Sequence, residues 1–245
     1  MIPYYGQEFY NDLRSGTRNE NLRARLKTVL QAQHAPQSGG LDGINTGCNG
    51  GCYEHTPIGY KSARLFLLGN YYLLKMNNGY GVHDVYCDHD ITPEDFRGGN
   101  AAGPNQLPDD TVINVEHTWP QSRFTGKYPT DMQKSDLHHL FPTNSKTNAI
   151  RGNNKFGEVA QDSKTLECSN VRTGTAAGGN REIFEPPREH KGNVARALFY
   201  FATRYDMVID ADEEAFLRKW NQEDPVDDVE RDRNEKIFAV QKDRN

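Results

Sequence analysis

No apolar run in the sequence approaches the roughly 20 residues that a helix needs to cross a bilayer, so no integral membrane segment is expected. No repeat at a fixed period is visible, which excludes a solenoid or propeller. The chain also lacks an overall basic excess. Its net charge of -5 does not announce a polyanion partner, because nucleic-acid binders usually carry surplus Lys and Arg over the binding face. The opening MIPYYGQEFY has neither a basic stretch nor an apolar core of a leader, so no export signal is expected in this sequence, whether removed or never there.

The chain that remains is a water-compatible globule. Hydrophobic residues make up 35% and charged residues 26% of 245 residues, enough apolar material for a substantial core, with 22 Gly and 12 Pro to build long ordered loops. One domain over 1–245 is expected. The average charge hides an asymmetry. Between His117 and Lys155 stand six bases (Arg123, Lys127, Lys134, Lys146, Arg151, Lys155) against two acids, a balance of +4; between Asp210 and Asp232 ten acids face three bases, a balance of -7. The four cysteines permit three pairings. Cys48 and Cys52 are close enough for a tight local loop, which would leave Cys87 with Cys168; a structural zinc on Cys48, Cys52 and His55, or free thiols, are the competing readings.

Hydrophobic spacing gives the elements. Leu22, Leu26, Val29 and Leu30 predict an amphipathic helix. Residues 35–59 read as loop, and Ser62 caps a helix running to about Met76, stopped by Asn77-Asn78-Gly79. A short strand follows over 82–87, then a surface loop from 92 to 110. A strand over 111–116 delivers Glu116 and His117 at its end, and Pro120 forbids its continuation. A second strand over 137–140 is broken by Pro142, and Ser145 caps a helix through Arg151, halted by Gly152. Helices over 192–205, 212–220 and 227–240 complete the chain as scaffold. The class is α+β, mostly helical, with long loops.

The chemistry concentrates in INVEHTWPQSRF and SDLHHLFPTNSKTNAIRGNNKF. Hydrolysis of a phosphodiester needs a nucleophilic water, charge neutralisation at phosphorus and help for the leaving oxygen. A divalent cation on few oxygen ligands supplies the last two, and Glu116 and Asn148 offer such oxygens. A neutral imidazole can take the proton of water near physiological pH, and His117 adjoins the carboxylate. Adjacent strand residues point to opposite faces, so a shared site requires the chain to bend or bulge there. Asp136 is placed to orient an imidazole from behind the site, and at most one of His138 and His139 should face it. Trp119 offers a face for a base, although aromatics beside short strands are more often core.

EHTWPQSRF followed by SDLHHLFPTNSKTNAIRGN resembles the endonuclease I family, secreted and periplasmic nucleases of the ββα-metal (His-Me finger) group, and FEPPREHKGNVARALFYFATRY and the closing DPVDDVERDRNEKIFAVQKDRN resemble that family's C-terminal helices. The likeness runs from about Tyr60 to the end. It implies a ββα-metal core at about 111–155, a general base at His117, and metal ligands at Glu116 and Asn148, with Mg²⁺, Mn²⁺ or Ca²⁺ as the ion. It further implies nonspecific cleavage of DNA, RNA or both to 5′-phosphate and 3′-hydroxyl ends, export or periplasmic residence, and a monomer. Better-known relatives carry a phosphate-stabilising arginine in a longer insertion between the motifs. Here that connection is short, which leaves Arg151, Arg123 or Lys127 for the role, Arg151 preferred because it shares a helix face with Asn148. Lys127, Lys146 and Lys155 are the expected backbone contacts. A noncatalytic nucleic-acid-binding module and a zinc-stabilised interaction protein are the competing function classes.

Overall fold

A computed structural model describes residues 1–48 and 50–245. In chain order the elements are α1 (Gly6–Arg14), α2 (Asn19–Leu30), β1 (His34–Ala35), β2 (Gly43–Ile44), α3 (Tyr60–Phe66), β3 (Leu73–Met76), β4 (Gly79–Asp84), β5 (His89–Ile91), β6 (Ile113–His117), α4 (Thr130–Ser135), β7 (Leu140–Asn144), α5 (Ser145–Arg151), β8 (Lys155–Phe156), β9 (Gln161–Asp162), β10 (Arg172–Thr175), β11 (Glu182–Glu185), α6 (Lys191–Arg204), α7 (Ala211–Glu223) and α8 (Asp228–Gln241). The fold is α+β, with 42% of residues helical and 17% in strands.

The strand pair β6–β7 followed by α5 is the centre of the molecule. It is antiparallel, with Glu116 opposite Phe141 and His117 opposite Leu140. The hairpin separates two apolar clusters. Ile113, Val115, Leu137 and Leu140 pack with α3 and the β3–β4–β5 sheet, whereas Trp119 and Phe141 pack with α6 and the β8–β11–β10–β9 sheet. Because side chains alternate along a strand, Asn114 and Glu116 leave the Ile113/Val115 face.

The sequence reading placed the second strand too early. Leu137–His139 is a 3₁₀ turn whose first residue follows Asp136, and the Asp136 carboxylate accepts from the His138 N–H, the local bond that short acidic side chains favour before a turn. The strand starts at Leu140 and runs through Pro142 instead of stopping there. A residue's N–H and C=O point to the same side of a strand, and the Pro142 carbonyl accepts from Val85, away from β6, so the missing donor costs the β6–β7 ladder nothing. The helix that follows is capped by Asn144, not Ser145: its Oδ1 accepts from the N–H groups of Lys146 and Thr147. Gly152 ends it at φ +55°, a conformation that glycine adopts without strain.

Two further expectations fail for local reasons. The helix foreseen from Ser62 to Met76 stops at Phe66, passes through a π-helical turn over Leu67–Tyr71, and gives way to β3. Gly69 lies in that turn against the backbone of Asn105 and Gln106, where a Cβ would sit 3.1 Å from Gln106 N. Asn77-Asn78 is then the tip of the β3–β4 hairpin, the other use of Asn/Gly residues. Residues 155–185, for which the sequence reading gave no strands, hold the four-stranded sheet.

The C-terminal helices clamp the central unit. From α8, Arg233 donates to the carbonyls of Leu137 (2.6 Å) and Leu140 (2.8 Å) and lies over the ring of Phe141, while the Gln241 amide oxygen accepts from Leu137 N–H. Two disulfides, Cys48–Cys52 and Cys87–Cys168, use all four cysteines, and His55 bonds Asp243 at 2.8 Å; the zinc reading of Cys48, Cys52 and His55 is therefore corrected. The second disulfide spans 81 residues and borders Thr147 of α5. Closing a loop of that length is expected to stabilise by on the order of 4 kcal/mol. The double replacement Cys87→Ser/Cys168→Ser should lower the urea midpoint far more than Cys48→Ser/Cys52→Ser does; equal shifts would show that loop length is not what matters.

Candidate active site

Glu116, His117, Asn148 and Arg151 line one cavity of 320 Å³, together with Tyr60, Val115, Pro120, Gln121, Ser122, Gly152 and Asn153. Strand β6 delivers the first two and α5 the last pair. Pairing with β7 continues without a bulge through His117. The bend foreseen for the chain falls after the strand, where Thr118 to Pro120 turn away. As the terminal strand residue, His117 can reach the space that Glu116 faces.

His117 is held by its neighbours in one tautomer. Its Nε2 lies 3.1 Å from the main-chain oxygen of Lys134, which can only accept, so Nε2 carries the proton. Nδ1 is left as the acceptor, with the Gln121 amide 3.4 Å away. Burial pushes the ring's pKa down to about 3, and the nearby charges of Lys134 and Arg151 act in the same direction. The ring is therefore a neutral base with its free lone pair on Nδ1.

Glu116 is 2% exposed. Burial raises its pKa, opposed by the Arg151 guanidinium and by the Tyr86 hydroxyl. Both partners meet the same oxygen: Tyr86 Oη donates to Oε1 at 2.9 Å, and Arg151 Nη1 lies 2.9 Å from it. Among the described residues Oε2 makes no hydrogen bond. Asn148 donates its Nδ2 to Asn114 Oδ1 at 2.7 Å, which orients its amide and leaves Oδ1 without a hydrogen bond among the described residues. A carboxylate oxygen and an amide oxygen at one cavity, both uncommitted, form the donor set that a hard divalent cation takes. The site fits such an ion.

Other expected site residues lie elsewhere. Arg151 lines the cavity but is 1% exposed, donating to the carbonyls of His117 (3.1 Å) and Thr118 (2.8 Å) as well as facing Glu116. Arg123 turns to Asn153 O (2.6 Å) and Glu213 (3.5 Å). Lys127 pairs with Asp206, Lys155 with Asp210 and Lys146 with Glu167; none of the three lines the cavity. Trp119 is core rather than a base platform: it is 6% exposed and stacks on Phe201 at 5.3 Å, its indole N–H donating to Arg123 O. Asp136 orients no imidazole of the cavity. Its carboxylate accepts from Tyr200, Tyr205 and Gln241 inside a buried network that also holds Asp243 and Arg204. His138 faces that network, and His139 lies behind His117 with ring centroids 5.5 Å apart, its Nε2 donating to Gln133 O. Neither faces the cavity.

The sequence reading did not find Asn114, Tyr86, Gln121, Tyr60 or the carbonyl of Lys134. Asn114 carried a usable signal, since two residues before Glu116 on a strand means the same face. Gln121 lay four residues after His117 in the same motif without a signal of its own, and Tyr86, Tyr60 and the Lys134 carbonyl reach the site from separate parts of the chain and carried none.

Burial also makes His139 and His190 weak bases, with pKa values of about 4 and about 3. Folded-state values below the unfolded 6.5 mean that the unfolded chain binds the extra protons, so this contribution is complete above pH 6.5 and declines as pH falls toward 4. Each ring that stays neutral should reduce stability by about 1.4 kcal/mol per pH unit across that window. Urea unfolding at pH 7, 6 and 5 measures it; stability that does not fall over this range contradicts the burial argument.

The family model described as Endonuclease I matches residues 50–245. The chain is similar to an extracellular ribonuclease of Bacillus subtilis (strain 168), 34% identical over 143 residues, 51% of this chain and 46% of that protein. It is also similar to Endonuclease-1 of Buchnera aphidicola subsp. Acyrthosiphon pisum (strain APS), 29% identical over 112 residues, 46% of this chain and 43% of that protein. An extracellular deoxyribonuclease of Aeromonas hydrophila is 26% identical over 116 residues, 46% of this chain and 47% of that protein. The chain spans about half the length of the curated relatives it matches. With the family model covering four-fifths of its residues, the chain belongs to the Endonuclease I family.

Proposed function

We propose that the chain acts as one nuclease domain over 1–245: an exported or periplasmic monomer that cuts DNA, RNA or both with little sequence selectivity, using one divalent cation, Mg²⁺ by preference with Mn²⁺ or Ca²⁺ as substitutes. The observation that carries this reading is the shared cavity of Glu116, His117, Asn148 and Arg151, in which His117 Nδ1 is a neutral acceptor and, among the described residues, Glu116 Oε2 and Asn148 Oδ1 lack hydrogen-bond partners. The relatives named as a ribonuclease and a deoxyribonuclease support both polymers as substrates.

His117 Nδ1 takes a proton from water as its oxygen attacks phosphorus, the bond to the 3′ oxygen breaks, and the products are a 5′-phosphate and a 3′-hydroxyl. The Lys134 carbonyl holds the Nε2 proton, so the base does not exchange tautomers during the step. Glu116 Oε2 and Asn148 Oδ1 would hold the cation, which supplies neutralisation of phosphoryl charge and help for the leaving oxygen. Arg151 opposes the upward push that burial exerts on the Glu116 carboxyl.

The test is a gel assay on plasmid and on a long RNA with and without chelator. Cleavage should stop in EDTA and return with Mg²⁺ or Mn²⁺. Cutting that persists in excess EDTA removes the metal from the reading, and no cutting of either polymer with any divalent ion removes the enzyme.

A further inference from the structure

Of the cations named for phosphate contact only Arg151 lines the cavity, and it is buried against Glu116. Arg123, Lys127, Lys146 and Lys155 each face a carboxylate. A cleft that takes a polyanion still needs positive charge at its rim. The Tyr60 side of the cavity supplies it. Tyr60, the first residue of α3, lines the site cavity, its ring centroid 5.4 Å from that of His117. Lys134 Nζ lies 4.5 Å from the Tyr60 ring centroid and the Arg64 guanidinium carbon 5.9 Å from it. Among the described residues Lys134 forms no ion pair. Arg64 has Asp110 at 3.7 Å, a carboxylate 65% exposed and so easily displaced. Lys134 is half-buried beside the site because its own carbonyl anchors His117.

We propose that Tyr60, Arg64 and Lys134 form a subsite that grips the phosphodiester backbone of the substrate strand beside the phosphate that is cleaved. The proposal rests on the nuclease reading and adds to it which residues hold the strand. Tyr60 keeps the two cations beside the cavity through attraction to its ring. Lys134 then serves through two separate groups: the main-chain oxygen fixes the base, and the ammonium binds the strand.

These two roles separate in an experiment. The 245-residue chain in EDTA, with cleavage suppressed, is titrated with a labelled duplex DNA and a labelled single-stranded RNA over a range of salt. Lys134→Gln and Arg64→Gln should each weaken binding about three- to tenfold at low salt and reduce the slope of log K against log salt by about 0.7 to 0.9, the loss of one phosphate contact. Lys134→Arg should keep the slope. In Mg²⁺, Lys134→Gln should raise KM by a larger factor than it changes kcat, because glutamine retains the carbonyl that holds His117 while the lost ammonium is the strand contact. Loss on only one of the two polymers assigns the grip to that polymer's geometry and still supports the subsite. Slopes equal to the parent's for both variants overturn it, as does a fall in kcat at unchanged KM. A parent protein that binds with a normal slope but never cuts is the separate signature of a failed nuclease reading.

Discussion

Replacing His117 by alanine should lower the rate of phosphodiester cleavage by about two to four orders of magnitude, the range expected when a positioned general base is removed. The fold should persist, since β6 pairs with β7 through backbone bonds that the side chain does not make. Nucleic-acid binding in chelator should also persist, because the neutral ring offers no charge to a phosphate. A further control follows from the tautomer. Gln121→Ala removes only a 3.4 Å neighbour of Nδ1 and should cost far less than loss of the ring. Full activity in His117→Ala would exclude this base outright and return the role to another group of the cavity.

Arg151→Met is the substitution with the largest expected effect on stability, and it should lower activity as well. The guanidinium is 1% exposed, faces Glu116 at 2.9 Å, bonds two carbonyls and lies 4.4 Å from the centroid of the Phe156 ring. Removing one partner of a buried pair leaves the other uncompensated, at a cost of about 3–5 kcal/mol. Methionine replaces much of the volume but none of the charge, so burial should drive Glu116 toward its protonated form, in which it is a poor cation ligand. Cleavage should therefore fall, and raised Mg²⁺ or higher pH should restore part of it. The pair Glu116→Gln/Arg151→Met should recover stability relative to the single arginine change without recovering activity. If the single and double variants melt together, Arg151 is held by its carbonyls and Phe156 and the ion pair contributes little.

The legible parts of this molecule were those written in local spacing. The apolar stripes of α2, α6, α7 and α8 announced helices within a few residues of their observed limits, because one buried face at a period near 3.6 dictates the element whatever it packs on. The helix around Asn148 and its glycine stop were legible for the same reason, and so was the strand ending at Glu116 and His117. Where one motif served two structures, spacing failed. Asn77-Asn78-Gly79 ends a helix or turns a hairpin, and the pairing of β3 with β4 on either side of it makes it a hairpin here. Pro142 reads as a breaker until the orientation of its carbonyl shows that its missing donor lay on the unneeded side.

Charge was the weaker guide. The basic run from His117 to Lys155 suggested phosphate contacts, yet Arg123, Lys127, Lys146 and Lys155 meet carboxylates brought from α7, the turn before it and other distant segments. The sequence by itself determined the candidate oxygen donors Glu116 and Asn148, the imidazole beside them and the helices that support them, since these follow from residue type and period. Tertiary structure alone decided which imidazole nitrogen is free, which arginine faces Glu116, and which cations stand beside the cavity. Those choices depend on partners tens of residues away in the chain: the Lys134 carbonyl, the Tyr86 hydroxyl and the ring of Tyr60.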